Sequence, residues 1–156
     1  MAGSKNDSPY VHDPVMAEEV AQFFSLHNAL RIVDGTVGLG GHAEALLERD
    51  SAVSVLGLDR DGEVIELARR RLERFAGRVI LEHESYRDLG GVLRRTGWET
   101  ADGILLDLGI CSYHVERADR GFSFQHDAEL DMRFSADRGE PAAALIKRLS
   151  EQELSD

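Results

Sequence analysis

Three aspartates and a cluster of glycines carry the chemistry that can be read from this chain. Asp34 closes a short apolar run and is followed by four glycines within seven residues, Gly35, Gly38, Gly40 and Gly41. A loop of that composition lets a ligand approach backbone N–H groups at the start of a helix. Gly38, Gly40 and Ala43 satisfy the Gly-x-Gly-x-x-Gly/Ala spacing of a dinucleotide loop. Asp59 stands 21 residues past Gly38, at the end of the next apolar run, where a carboxylate can accept two ribose hydroxyls. By spacing alone NAD fits. Asp34 favours a different ligand: a pyrophosphate dianion is repelled by a carboxylate just before the glycines, whereas S-adenosylmethionine brings an ammonium and a sulfonium that it attracts. In the alternative reading the glycines serve only tight packing and Asp34 and Asp59 are turn residues.

Two further positions lie at the ends of later apolar runs. Tyr86, in HESYRDL, offers a ring that could flank an adenine, or is an ordinary half-buried tyrosine. Asp107, in DGILLDLG, follows Ile104, Leu105 and Leu106, and a carboxylate there is costly to bury without a partner. It is the candidate hydrogen-bond acceptor for a reacting group. The 6 histidines show no paired ligand spacing, so no metal centre is expected. The single cysteine, Cys111, excludes an intrachain disulfide and a thiolate metal cluster, and fits a reducing, cytoplasmic compartment.

The elements that must position these residues alternate. Short apolar runs at 31–33, 53–58, 79–81 and 104–108 read as buried strands, and the helical patterns at 43–49, 63–75 and 86–96 lie between them. Strands alternating with helices predict an α/β fold with a parallel sheet. Ahead of them, Asp13 as cap and Pro14 at the first helical position predict a helix carrying Val15, Met16, Val20, Phe23 and Phe24, and residues 1–12 read as a flexible arm. Beyond Leu108 the alternation stops. Residues 109–139 are turn-rich, 141–149 read as a short helix, and Ser150 with Glu153 forms the signature of a capping box. That cap so near Asp156 leads to the expectation that the chain is cut short.

Composition narrows the class. With 156 residues, 42% hydrophobic and 30% charged, the chain has the size and make-up of one soluble globular domain. No stretch approaches the ~20 apolar residues that span a bilayer. A net charge of -11 excludes a sequence-independent nucleic-acid coat protein, since binding through phosphates calls for the opposite sign. Residues 111–156 carry 10 acidic and 6 basic side chains, and no basic stripe is visible.

Taken together, Asp34-Gly35-Thr36, Gly38-Leu39-Gly40-Gly41-His42, Asp59-Arg60-Asp61, DGILLDLG, RGFSF (Arg120 to Phe124) and LDMR (Leu130 to Arg133) closely resemble the MraW (RsmH) family. The resemblance runs in order from His12 to about Glu153. It implies a Rossmann-like methyltransferase sheet of about four strands, incomplete, over residues 13–110, with the start of an inserted helical domain over 111–156. It also implies S-adenosylmethionine as cofactor and methyl transfer to N4 of a cytosine in small-subunit ribosomal RNA. Carried over by position, the cofactor contacts fall on Gly40, Gly41, His42, Asp59, Tyr86, Asp107 and His114. The last of these departs from the family pattern, in which Gly-Val-Ser-Ser-Pro-Gln stands where this chain has Gly109-Ile110-Cys111-Ser112-Tyr113-His114. Tyr113 and His114 could meet the target base, and RGFSF either meets RNA or packs the inserted domain. Family members run to about twice this length, so the fourth strand is expected to be an edge with apolar faces. A shortened relative that binds cofactor or a ribosomal partner without catalysis is the alternative, with an NAD-linked oxidoreductase behind it.

Overall fold

The computed structural model describes residues 13–155, and the arm expected at 1–12 lies outside them. The chain divides into two compact units, one ending at Gly109 and the other starting at Ile110. The first holds four parallel strands, β1 (Arg31–Asp34), β2 (Ser54–Asp59), β3 (Val79–His83) and β4 (Gly103–Leu105), in the order β3-β2-β1-β4. Its helices are α1 (Ala17–Leu26), α2 (Gly41–Arg49), α3 (Gly62–Arg71) and α4 (Leu89–Thr96).

Burial on both faces explains why β1 and β2 are nearly continuous apolar runs. Ile32 and Val55 face one way, into a core closed by Phe24 of α1, Leu46 and Leu47 of α2 and Ile65 of α3. Val33, Leu56 and Leu58 face the other way, against Val92 of α4. The chain therefore steps from β1 to β3 with its helices on one face, and α4 returns over the other face to set β4 beside β1. That reversal makes the carboxyl ends of β1 and β4 the topological switch point of the sheet, where open α/β sheets hold ligands.

Two boundaries differ from the sequence expectation. The first helix starts at Ala17 and not at Pro14, with Met16 before it in the left-handed region at φ 53. Tertiary contacts explain the delay: the carbonyl of Val15 accepts a hydrogen bond from His42 Nε2 at 2.8 Å, and Pro14 lies flat against Gly41. β4 ends at Leu105 and not at Leu108. Only β1 pairs with it among the described residues, and Ile104, Leu106 and Leu108 are 55%, 46% and 68% exposed, the apolar edge that the sequence led us to expect.

The second unit contains α5 (Ser112–Glu116), α6 (Ala142–Arg148) and α7 (Glu151–Ser155). Its centre is the buried Arg120, whose Nη2 donates to the carbonyls of Arg133 at 3.1 Å and Phe134 at 2.9 Å. Met132 donates its N–H back to the Arg120 carbonyl. RGFSF and LDMR thus pack on one another, and Phe122 joins Phe134 and His114 in a ring cluster. Of the RGFSF aromatics only Phe124 stands fully in solvent. The capping box is formed as the sequence suggests: Ser150 N–H donates to Glu153 Oε2 at 2.9 Å, and Glu153 N–H to Ser150 Oγ at 3.4 Å. No helix among the described residues is long and apolar enough to cross a membrane.

Candidate functional site

The strand ends bring Asp34, the glycine loop, Asp59, Tyr86 and Asp107 to one end of the sheet. Asp34 is paired between Gly57 of β2 and Leu105 of β4, and is only 1% exposed. Its Oδ1 accepts the N–H of Thr36 at 3.1 Å, the turn that an aspartate two residues before an amide favours. Its Oδ2 is buried and has no hydrogen-bond partner among the described residues. Burial pushes the Asp34 carboxyl up to about 7; the Thr36 amide opposes the rise, and the charges of Asp59 and Asp107 add to it.

Five amides of the loop that follows, those of Gly35, Thr36, Val37, Gly38 and Gly40, bond inside the protein. Gly35 N–H donates to Leu105 O, Val37 N–H to Leu58 O, Gly40 N–H to Val37 O, and Gly38 N–H to Asp59 Oδ2 at 3.1 Å. With Thr36 N–H on Asp34, two of these donors are neutralised by carboxylates. A phosphate cradle needs such donors turned outward. The loop is instead bracketed by negative charge, and suits a cation. Gly35 must lack a side chain, because a Cβ there would meet Leu106 Cδ2 at 2.7 Å and Tyr86 Cβ at 3.0 Å. Tyr86 is thereby placed beside the loop, in the 3-10 turn after β3, and the residue is 36% exposed. Gly38 and Gly40 take left-handed conformations at φ 53 and 85, and Gly40 caps α2. Gly41 opens α2 with its Cα turned to Pro14.

Asp59 accepts from Gly38 N–H through one oxygen and from Asp61 N–H at 3.0 Å through the other. Asp107 is the reverse of the sequence expectation. Its side chain is 49% exposed, so the cost of burying a carboxylate falls on Asp34 instead. Its backbone N–H donates to Thr36 Oγ1 at 2.7 Å, and its Oδ2 lies 4.0 Å from Nδ1 of the buried His42. Because His42 Nε2 faces a carbonyl, that nitrogen carries the proton, and in the neutral ring the Nδ1 lone pair faces Asp107.

Sequence reasoning missed Thr36. Its hydroxyl joins the glycine loop to the end of β4, and the only local signal was a hydroxyl residue two places after an aspartate. His114 lies in the second unit, 3% exposed, with Nδ1 3.2 Å from Cys111 Sγ and its ring against Phe122 and Phe134. Tyr113 beside it is 4% exposed and accepts a hydrogen bond from Arg117, so neither ring projects from the surface of that unit. Among the described residues no group of three or more His, Cys, Asp or Glu side chains could hold a metal ion.

Two solved methyltransferases share the fold. An O-methyltransferase from Bacillus cereus, solved in complex with SAH, superposes with a TM-score of 0.53 at 22% identity, over 65% of this chain and 48% of that one. A putative O-methyltransferase from Klebsiella pneumoniae gives 0.52 at 20% identity, over 65% and 46%. At the level of sequence, the ribosomal RNA small subunit methyltransferase H of Dictyoglomus thermophilum is 43% identical over 148 residues, which is 94% of this chain and 50% of that protein. Its counterpart in Syntrophotalea carbinolica is 45% identical over 147 residues, 94% and 47% of the two chains. The chain spans about half the length of the curated relatives it matches. The model of the MraW methylase family matches residues 9–156, nearly the whole sequence, and the chain belongs to that family.

Proposed function

We propose that this chain is the cofactor-binding part of an S-adenosylmethionine-dependent methyltransferase that acts on N4 of a cytosine in small-subunit ribosomal RNA. Residues 13–110 hold the cofactor and 111–156 begin an inserted helical domain. One observation carries the cofactor reading: a buried carboxylate oxygen of Asp34 without a donor, beside Asp59 and Asp107, at the switch point of the sheet. The names of the relatives support small-subunit ribosomal RNA as the substrate class, and the cytosine N4 is what the family resemblance implies.

When bound, the cofactor supplies an electrophilic methyl group on a sulfonium. Asp34 and Asp107 favour that positive charge, Asp59 takes the ribose, and Tyr86 flanks the adenine. Gly38, Gly40 and Gly41 let the cofactor approach the backbone, and His42 holds the start of α2 against the segment before α1. An exocyclic cytosine amine is a poor nucleophile, because its lone pair is delocalised into the ring. Its N–H needs an acceptor that orients it and takes up the proton. Asp107 has the exposure for that task and a backbone fixed by Thr36. The target base leaves its stack to reach the site. With a net charge of -11, RNA affinity comes from the fit of a structured ribosomal substrate or from segments of the kind that make the relatives longer. A cytoplasmic location follows from that substrate.

Calorimetric titration of the chain with S-adenosylmethionine, beside NADH and an Asp59→Asn variant, tests the reading. Micromolar binding of the methyl donor, weakened at least tenfold in the variant, is the expected result. Binding of NADH in its place would assign the site to an oxidoreductase. Methyl transfer to small ribosomal subunits by the purified chain distinguishes an enzyme from a relative that only binds.

A further inference from the structure

A second oxygen without a donor is an unusual feature for a carboxylate at the centre of a sheet, since buried polar groups are nearly always paired. Among the described residues Asp34 Oδ2 is such an atom. The titratable groups around it are Asp59 at the end of β2, Asp107 beyond β4, His42 on α2 and Tyr86 after β3. Two are carboxylates. His42 Nε2 donates to the Val15 carbonyl, and its Nδ1 lies 4.0 Å from Asp107 Oδ2. Against burial and these two charges stands the Thr36 amide on Oδ1, which opposes the rise without cancelling it.

We propose that Asp34 keeps a proton in the free protein and releases it to solvent when the cationic cofactor binds, so that cofactor affinity depends on pH through this one carboxyl. The coupling rests on the cofactor reading above. It requires no contact with Oδ2: a unit cation ~6 Å away, at an effective dielectric constant of ~20, lowers a carboxyl pKa by about two pH units. The O–H bond of Asp34 breaks, its electron pair stays on the carboxylate, and the proton passes to buffer. The ligand's positive charge then faces three negative ones.

Starting from about 7 in the free protein, a fall of that size makes binding roughly twentyfold tighter at pH 7.5 than at pH 5.5. The test combines two measurements on the full chain. Carboxyl carbon chemical shifts of the free protein follow Asp34 directly, with a midpoint near 7 expected; a midpoint in the ordinary aspartate range overturns the proposal. Calorimetry with S-adenosylmethionine at pH 6.5, in buffers of different ionisation enthalpy, reads proton release, with Asp34→Asn as control. That variant keeps every other ionisable group of the chain and of the ligand. Proton release in the native chain and not in the variant is the expected result. Binding without that difference overturns the coupling alone, whereas absence of any binding heat overturns the cofactor reading and the coupling with it.

Discussion

Asp107 donates its backbone N–H to the hydroxyl of Thr36 at 2.7 Å, across 71 residues of sequence. The same threonine gives its own N–H to Asp34. One residue therefore sets the spacing of two carboxylates that approach from adjacent strands. Thr36→Val keeps the shape and removes the acceptor. Losing such a bond costs about 1 kcal/mol, and for a chain of this size lowers Tm by roughly 2–4 °C. Thr36→Ser is expected to retain both the melting temperature and the cofactor affinity, and calorimetry on the pair tests whether the hydroxyl positions Asp107. Equal affinity in Ser and Val variants would show that it does not.

Asp34 makes stability depend on pH in the direction opposite to that of most aspartates. Its folded value, about 7, lies above the ordinary 3.8 that it regains on unfolding. Below 3.8 both states hold the proton and nothing is lost. Between 3.8 and 7 only the unfolded chain gives it up, so stability falls as pH rises, and above 7 the full cost remains. That cost is at most about 4 kcal/mol. Asp34→Asn is expected to melt well above the native chain at pH 8 and close to it at pH 4. A gap of the same size at both pH values would refute the assignment.

Gly40 combines a left-handed backbone with crowding. At φ 85 an alanine is strained, and its methyl would stand 3.1 Å from Leu72 Cδ1. Gly77 shares the strain, at φ 91, with nothing within 4 Å. Gly40→Ala should cost about 1–2 kcal/mol beyond the strain common to both, read from paired chemical denaturation curves.

In the second unit Arg120 and Phe124 separate packing from exposure. Arg120→Ala leaves the carbonyls of Arg133 and Phe134 without their donor and is expected to cost about 2–4 kcal/mol. Limited proteolysis at residues 121–134 should accelerate. Phe124→Ala, at a side chain wholly in solvent, is expected to change stability by less than about 0.5 kcal/mol.

Much of the first unit was legible because a parallel sheet buries both faces of its strands, and continuous apolar runs announce it. The glycine spacing and Asp34 were legible because the loop is local. What sequence could not show depends on distant partners. Pro14 obeys a local rule for helix starts, but Gly41 and His42 hold its segment away from the helix. Asp107 follows an apolar run and yet is half exposed, since among the described residues β4 has β1 on one side and no strand on the other. The role of Thr36 depends on a strand that begins 67 residues later. Tyr113 and His114, expected near a surface, are covered by Arg117, Phe122 and Phe134, all from the same turn-rich stretch.

The unequal pairing of β1 and β4 divides the site by local opening energy. β1 is hydrogen-bonded along both edges and β4 along one, so amides of β1 should exchange only with global unfolding while those of β4 exchange through smaller fluctuations. Asp34 belongs to the slow strand and Asp107 to the segment that leaves the fast one. Fraying of β4 uncovers Asp34 from the Asp107 side without breaking the β1–β2 ladder. The lifetime of that ladder sets how long the carboxyl end of β1 keeps its form between successive openings.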